Sequence, residues 1–310
     1  MRSTWTVALL VACSGGDPST PTAQTPDEPR PYVVDAPDPG EPTASLAEIG
    51  TALQAAFDQV LTINAAPVEA AYADAMTDRT YDCPYEYATP DGTYWYDSCD
   101  TEDGAAYDGY VFALGEQGVY DDASGLYVDY WYAFGAATVE TMEGHHLELA
   151  GGAVRYKTYG DYAGLELESY YSDVGGSFRW DGPEARGTWL EQGLDPDLTW
   201  QVNVFAGEPA MYLDGGFSGF ASGWAVAFDD NVFGSKGIGM PCELEVSGTV
   251  GVRAPDGTWY DIRFDGSDGS DPDFDPAKCD GCGKAFFQGE PMGEVCADTD
   301  TLLGMAVTPW

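Results

Sequence analysis

This chain has few positively charged residues. It contains 12 Lys and Arg against 53 Asp and Glu, which gives a formal net charge of −41, and the stretch from Thr80 to Val154 has no Lys or Arg at all. Binding to nucleic acid needs clustered cations, so the sequence excludes nucleic acid as an expected partner. The charge favours solubility and attracts cations, but it does not bear on the fold.

Long apolar runs are missing as well. The apolar run at the amino terminus, residues 6–12, has seven residues, whereas a helix that crosses a bilayer needs about 20. No later segment reaches that length. A membrane-spanning helix is therefore not expected.

Motifs for catalysis are also scarce. The nearest match to the Gly-x-Ser-x-Gly nucleophile elbow, at residues 216–220, lacks the final glycine and has no identifiable base. A glycosidase would need two carboxylates at a defined separation, and the sequence cannot single out two among 53. A protein without catalytic activity is expected, and an enzyme acting on glycans is the alternative.

The amino terminus has the pattern of an export signal. Arg2 provides a positive charge, residues 6–12 form the apolar core, and small residues lead to Cys13. Residues 10–13, Leu-Val-Ala-Cys, resemble the lipobox of bacterial lipoproteins, in which a branched apolar residue stands three positions before the cysteine and a small residue directly before it.

This resemblance implies removal of a signal peptide of residues 1–12 and attachment of lipid to Cys13. Several acyl chains hold a protein firmly at a membrane, so membrane contact is expected through the lipid anchor only. Ser14 follows the cysteine, where the best-known sorting rule has an Asp in lipoproteins retained at the inner membrane. The resemblance therefore favours the bacterial outer membrane, with the protein facing the periplasm or the cell surface.

Three segments are expected after the signal peptide. Residues 13–43, rich in Pro, Ser, Thr and Asp, offer almost nothing to bury and are expected to be a disordered tether. Residues 44–80 are expected to be helical, and residues 81–310 to form a disulfide-bonded β domain.

A helical pair is predicted after the tether. Ser45 and Glu48 have the spacing of a capping box, and the apolar residues that follow recur at helical spacing and give one stripe. Pro67 can begin a second, shorter helix that extends to about Met76. We expect the stripe to pack on a sheet.

From Tyr81 onward the apolar period changes to two. Short segments with period-two alternation, residues 146–149 and 154–159 among them, are separated by turn signals of Gly, Asp and Pro, and many of these segments are rich in aromatic and β-branched residues. The sequence therefore predicts a mainly β protein. The expected architecture is an antiparallel multi-strand meander, as a sandwich or an open or barrel-like sheet, with the N-terminal helical pair packed on it.

Six cysteines remain after the one that carries lipid, and an even number argues for disulfide bonds in an exported protein. They are Cys83, Cys99, Cys242, Cys279, Cys282 and Cys296. The first two lie at equal distances from Asp91 in a turn signal, and the last two lie at equal distances from Gly289, so each pair suits a hairpin. The two middle cysteines would form the third bond.

Two other interpretations of the Cys279-x-x-Cys282 pair remain open. Such a pair can be a redox centre, although this normally requires a helix start in a βαβ context. A zinc site is the other interpretation, with Cys242 and Cys296 as further ligands.

Acidic residues are densest between Asp265 and Asp275, where they offer the oxygen ligands that calcium prefers. The segment is not an EF-hand, because Pro276 stands where the required glycine would be. No cofactor is expected, and a weakly bound calcium ion is the alternative to a solvated acidic loop. The calcium ligands would be Asp268, Asp271, Asp273 and Asp275.

The segment from Leu126 to Phe134 places Tyr127, Asp129 and Trp131 on one face of a strand and bulky residues on the other. One face must belong to the core, and the other would offer a platform of rings and a carboxylate to a sugar. The alternative is that the rings pack against cross-strand neighbours.

These patterns predict a non-catalytic, membrane-tethered lipoprotein of the envelope with a structural or surface-interaction role. Its expected partner is a polysaccharide or an envelope protein. The alternative is a carbohydrate-binding lipoprotein, with or without the help of calcium.

Overall fold

The computed structural model describes residues 41–90, 92–121, 125–162, 165–182, 189–192, 194–205, 208–234, 245–265, 280–299 and 302. These residues contain 13 strands that follow one another along the chain. The strands are β1 (Tyr87–Thr89), β2 (Gly92–Asp100), β3 (Ala106–Asp121), β4 (Leu126–Glu140), β5 (His146–Tyr162), β6 (Leu165–Trp180), β7 (Asp195–Phe205), β8 (Glu208–Phe220), β9 (Trp224–Gly234), β10 (Glu245–Arg253), β11 (Trp259–Asp265), β12 (Cys282–Phe287) and β13 (Glu290–Cys296).

All 13 strands belong to one antiparallel sheet, and each strand pairs with its neighbours in the chain, in the order β1 to β13. The prediction of a mainly β meander with a helical pair packed on it is confirmed. Of the arrangements that the sequence allowed, the open sheet is the one that forms, with β1 and β13 as its two edges.

The first helix, α1 (Leu46–Val60), begins at the predicted capping box. The side chain of Ser45 accepts a hydrogen bond from the Glu48 amide, and the Glu48 carboxylate accepts one from the Ser45 amide at 2.8 Å. These two bonds satisfy amides that have no partner within the helix.

The second helix, α2 (Ala65–Ala75), begins two residues before Pro67. The side chain of Asn64 caps it by accepting from the Ala66 amide at 2.9 Å. Pro67 is the third helical residue, a position where a backbone amide would have no intrahelical partner in any case. A third helix, α3 (Trp189–Gln192), has four residues.

Both long helices pack on one face of the sheet, which we call the inner face. α1 contacts β9, β10 and β13, whereas α2 contacts β4, β5 and β6. The ring of Phe57 on α1 lies 6.4 Å from each of the rings of Phe228 and Phe264. The indole N–H of Trp200 donates to the carbonyl oxygen of Ile63, between the helices, at 3.0 Å. The helix pair therefore bridges strands from both halves of the sheet.

Glycines allow two long strands, β5 and β6, to pass close to each other. Residues 146–149 and 154–159, which the sequence suggested as separate strands, both belong to β5, because the ladder continues through Gly151 and Gly152. Gly176 of β6 pairs with Gly151 and has φ +120, and a Cβ atom there would collide with the carbonyl oxygen of Ala150. Only glycine permits this close approach.

Two of the predicted disulfides are confirmed. Cys83–Cys99 joins the segment before β1 to β2, and Cys282–Cys296 joins directly paired positions of β12 and β13. Both edges of the sheet are therefore held covalently. Cys282 is not a free thiol, which contradicts the zinc and redox interpretations. The third predicted pair lies outside the described residues: Cys242 and Cys279.

Candidate functional site: the outer aromatic face

The predicted platform on β4 lies on the inner face. Tyr127, Asp129 and Trp131 share one face of the strand, as alternation requires, but it is the face on which the helices pack. Trp131 is buried, with 6% of its surface exposed, and Asp129 lies 3.7 Å from the guanidinium of Arg155. The prediction is corrected at this point, because a ring in the core cannot meet a ligand. Tyr127 alone of the three is exposed, and it stacks on Tyr159.

The alternate residues of the same strand point the other way. Tyr130, Tyr132 and Phe134 lie on the face opposite α1 and α2, which we call the outer face. The strand register places further rings of β1 to β6 beside them. Together they form what we call the outer aromatic face: Tyr87, Tyr94, Tyr96, Tyr110, Phe112, Tyr130, Tyr132, Phe134, Tyr156 and Tyr171.

Three of these rings form a central cluster. The ring centroid of Phe134 lies 6.0 Å from that of Phe112 and 5.2 Å from that of Tyr132. The centroids of Phe112 and Tyr132 are 5.7 Å apart. Phe134 nevertheless keeps 44% of its surface exposed. Cross-strand aromatic pairs contribute roughly 0.2–1 kcal/mol each, so the cluster stabilises the sheet while it presents apolar surface to solvent.

Tyrosines extend the cluster on both sides. Tyr87 and Tyr94 stack with centroids 5.0 Å apart. On the other side, Tyr156 lies 6.1 Å from Tyr130 and 5.7 Å from Tyr171. Because a tyrosine combines a ring with a hydroxyl group, these side chains offer apolar contact and hydrogen bonding at the same surface.

Carboxylates border the rings on β6 and β7. Asp173 pairs with Val154 on one side and with Thr199 on the other. Burial raises the pKa of Asp173, and the negative charge of Asp197 adds to this, while hydrogen bonds from Thr199 and Tyr171 oppose it. Burial and the charge of Asp173 raise the pKa of Tyr171 to about 12. At neutral pH, Tyr171 therefore keeps its proton and donates it in the hydrogen bond to Asp173.

Neutral polar groups lie next to these carboxylates. The Ser169 hydroxyl donates to Asn203 Oδ1 at 2.7 Å, and the Gln201 amide donates to Asn203 Oδ1 at 2.9 Å and to Ser169 Oγ at 3.3 Å. Gln201 stands between Tyr171 and the exposed Tyr212 in the register of β6, β7 and β8. The Gln201 amide is thus positioned between two rings.

The floor between the rings and the carboxylates is made of small residues. Phe134, Gly152, Gly175 and Asp197 occupy successive paired positions on β4 to β7. A Cβ atom on Gly152 would lie 3.3 Å from the Phe134 ring, and one on Gly175 would lie 3.3 Å from the Asp197 carboxylate. The Phe134 ring and the Asp197 carboxylate therefore lie close to the two glycines from opposite sides.

The other predicted site residues lie outside the described residues. They are Cys13, Asp268, Asp271, Asp273 and Asp275. In the part of the chain that the structure does describe, no three or more His, Cys, Asp or Glu side chains are grouped to hold a metal ion. Within the same ranges, no helix has both the length and the apolarity needed to cross a membrane.

No protein-family model, curated protein or solved structure matches the chain. The geometry of the outer face is therefore the basis for a functional proposal.

The platform predicted on β4 consists of the alternate residues that face the core. Both sets are bulky, so hydrophobicity alone did not separate the faces. A signal was nevertheless present: the inner set includes Ala133, Ala137 and Val139, whereas the outer set is rich in tyrosine. Tyrosine hydroxyls need a hydrogen-bond partner, so a face that carries many tyrosines is expected to meet water.

Proposed function

We propose that this protein is a non-catalytic, membrane-tethered lipoprotein of the bacterial outer membrane that binds a glycan chain through its outer aromatic face. The observation that carries the proposal is the exposure of rings such as Phe134 in the middle of a sheet whose other face already holds the core. Large exposed apolar patches bordered by polar residues are typical of binding surfaces.

A glycan suits the chemistry of this face. Sugar rings present C–H groups that pack on aromatic rings, and hydroxyl groups that bond to carboxylates and amides. Phe134 and its neighbours supply the rings, and Asp173, Gln201 and Asn203 supply the polar groups beside them. Ligand sites commonly combine an apolar surface with a few polar groups that orient the ligand. Because the floor is open, an extended chain fits better than a small molecule enclosed on all sides.

The amino-terminal features support a position at the membrane. The fold starts where the predicted tether ends: the backbone amides of Thr43 and Ala44 donate to the Tyr260 hydroxyl at 2.9 and 2.8 Å. Tyr260 is buried on the inner face. An extended tether attached on that side would hold the sheet away from the lipid and leave the outer face accessible.

Glycan binding can be tested on an oligosaccharide array, followed by isothermal titration calorimetry of the ligands that bind. Phe134→Ala removes a ring of the outer face without opening the inner core, so we expect a folded protein that binds about tenfold more weakly. Tyr120→Ala is the matched control, because Tyr120 is similarly exposed and pairs with Tyr127 on the inner-face side. An array on which no glycan binds would contradict the proposal.

A further inference from the structure

We infer, resting on the proposed function, that the glycan bound by the outer aromatic face carries positively charged amino groups. The inference depends on how carboxylates and rings alternate on β4 to β8, and on where the cations of those strands lie.

Three carboxylates surround one threonine on this face. Asp173 and Asp214 pair with Thr199 from opposite sides, and Asp197 precedes Thr199 by two residues on the same face of β7. The charge of Asp197 acts on Asp173 strongly enough to help raise its pKa. Asp173 and Asp197 occupy diagonal positions on neighbouring strands. Their carboxylates repel each other, and a protonated amine between them would be attracted by both.

The cations of the neighbouring strands do not neutralise this group. Arg155 and Lys157 of β5 belong to inner-face contacts, where they pair with Glu69 and Glu168. Arg179 of β6 lies on the outer face but is level with Glu148, several residues away from the three carboxylates. In the described residues of β4 to β8, no cationic side chain therefore lies beside the three carboxylates to balance their charge.

Aromatic rings add a second attraction for ammonium groups. A cation over a ring face is favoured by the ring's electron distribution, and this chain already uses the interaction elsewhere. Lys157 Nζ lies 5.3 Å from the ring centroid of Tyr159 and 5.0 Å from that of Tyr170, and the guanidinium of Arg263 lies 4.3 Å from that of Phe286. On the outer face, the ring of Tyr171 lies beside the carboxylate of Asp173, so one ammonium group could contact both.

The charge of the whole molecule acts in the same direction. A net charge of −41 concentrates cationic ligands near the surface and repels glycans that carry uronic acid or sulfate groups. Amino sugars that are not acetylated combine this positive charge with the hydroxyls and C–H faces of a sugar chain.

The test is a comparison of oligosaccharides that differ only at nitrogen. Full-length protein is titrated with a glucosamine hexamer and with the N-acetylglucosamine hexamer at a pH at which free amines are protonated, and an array presents amino, acetylated and acidic forms of other backbones. We expect amino forms to bind about tenfold more tightly than their acetylated counterparts, and added salt to reduce the difference.

Variants locate the effect on the face. Asp173→Asn and Asp197→Asn should each weaken binding of amino forms about fivefold to tenfold and weaken binding of acetylated forms by a clearly smaller factor, because an amide keeps hydrogen bonding to sugar hydroxyls but loses the negative charge. Glu290→Gln, which removes one exposed carboxylate on β13, is the control and should bind like the unaltered protein. Thermal melts of all three establish that they fold.

The outcomes separate the inference from the function on which it rests. If no form of any glycan binds, the proposed function fails and the inference fails with it. If acetylated or acidic forms bind as tightly as amino forms, the inference is wrong while glycan binding stands. A loss in Glu290→Gln equal to that in Asp173→Asn would indicate diffuse attraction by the whole molecule, and it would also overturn the inference.

Discussion

Arg155 is a charged residue that lies in the core, on the inner face of β5. Its Nε donates to Glu69 at 2.6 Å, its Nη2 donates to the same carboxylate at 3.2 Å, and Asp129 lies 3.7 Å away. Because Glu69 belongs to α2, the pair attaches the helix to the sheet. A buried pair adds little net stability, but the loss of one partner leaves the other charge unpaired.

Replacing Arg155 should therefore destabilise the fold more than replacing an arginine at the surface. We expect Arg155→Met to lower the free energy of unfolding by about 2–3 kcal/mol, somewhat less than for a fully buried pair because the Glu69 side chain is 29% exposed. Arg79→Met, which breaks an exposed pair with Glu86, should cost less than about 1 kcal/mol. Urea unfolding measures both, and equal losses would contradict this account of Arg155.

Asp173 lies on the outer face, where burial raises the pKa of its carboxyl group. The fold therefore favours the protonated form. The contribution of this group to stability is complete below the ordinary pKa of 3.8 and is lost as the pH rises through the raised pKa.

An amide at this position imitates the protonated form and can still accept hydrogen bonds from Thr199 and Tyr171. We expect Asp173→Asn to be at least as stable as the unaltered protein near neutral pH, with a difference that shrinks as the pH falls. Denaturant unfolding at several pH values tests this, and Asp214→Asn, which changes an exposed carboxylate two strands away, is the control. An Asp173→Asn protein that is less stable at neutral pH would count against the assignment.

At the scale of elements, local signals were sufficient to predict two helices followed by an antiparallel meander. The capping box at Ser45 placed the start of α1 correctly, and period-two segments between turn signals indicated a meander. The start of α2 was placed two residues late, because a proline is an easier signal to recognise than the Asn64 cap. The length of β5 was missed because Gly151-Gly152 resembles a turn until a neighbouring strand is known to pass close by.

The close approach at Gly176 gives a test at this scale. Gly176 and Gly104 both have positive φ, +120 and +100, but only at Gly176 would a Cβ atom meet another part of the chain, the carbonyl oxygen of Ala150. We expect Gly104→Ala to cost about 1 kcal/mol from backbone strain alone. Gly176→Ala should cost about 3 kcal/mol or more, because strain and collision add.

Denaturant unfolding of the two alanine variants separates strain from collision. Relative to the unaltered protein, hydrogen exchange in Gly176→Ala should increase more in β5 and β6 than in β12 and β13, since the collision lies between β5 and β6. Equal costs for the two substitutions would show that the close approach does not shape the sheet.

For the whole molecule, the proposal depends on an anchor at one end of the chain and an accessible sheet face in the folded part. The tether and the lipidated Cys13 remain proposals from the resemblance to lipoproteins. The two disulfides, which join Cys83 to Cys99 and Cys282 to Cys296, agree with folding in an oxidising compartment outside the cytosol.

Lipidation predicts the mass of the first peptide of the mature protein. In protein purified from its native host, that peptide should begin at Cys13 and carry the mass of the attached acyl chains. Cys13→Ser should leave the protein without lipid and move it from the membrane fraction to the soluble fraction, while the fold is retained. A first peptide that begins at Met1, or an unmodified Cys13, would contradict the anchor.

The sequence alone determined the features that depend on neighbours along the chain: the cap of α1, the alternation within strands, the turn positions and the cysteine spacing across two hairpins. Only the tertiary structure decided which face of the sheet is covered. Alternation divides the residues of β4 into two sets, Tyr127, Asp129 and Trp131 against Tyr130, Tyr132 and Phe134, but it does not tell which set faces the helices. That choice depends on contacts between residues far apart in the chain, because α1 and α2 pack on strands that lie far from them in the sequence.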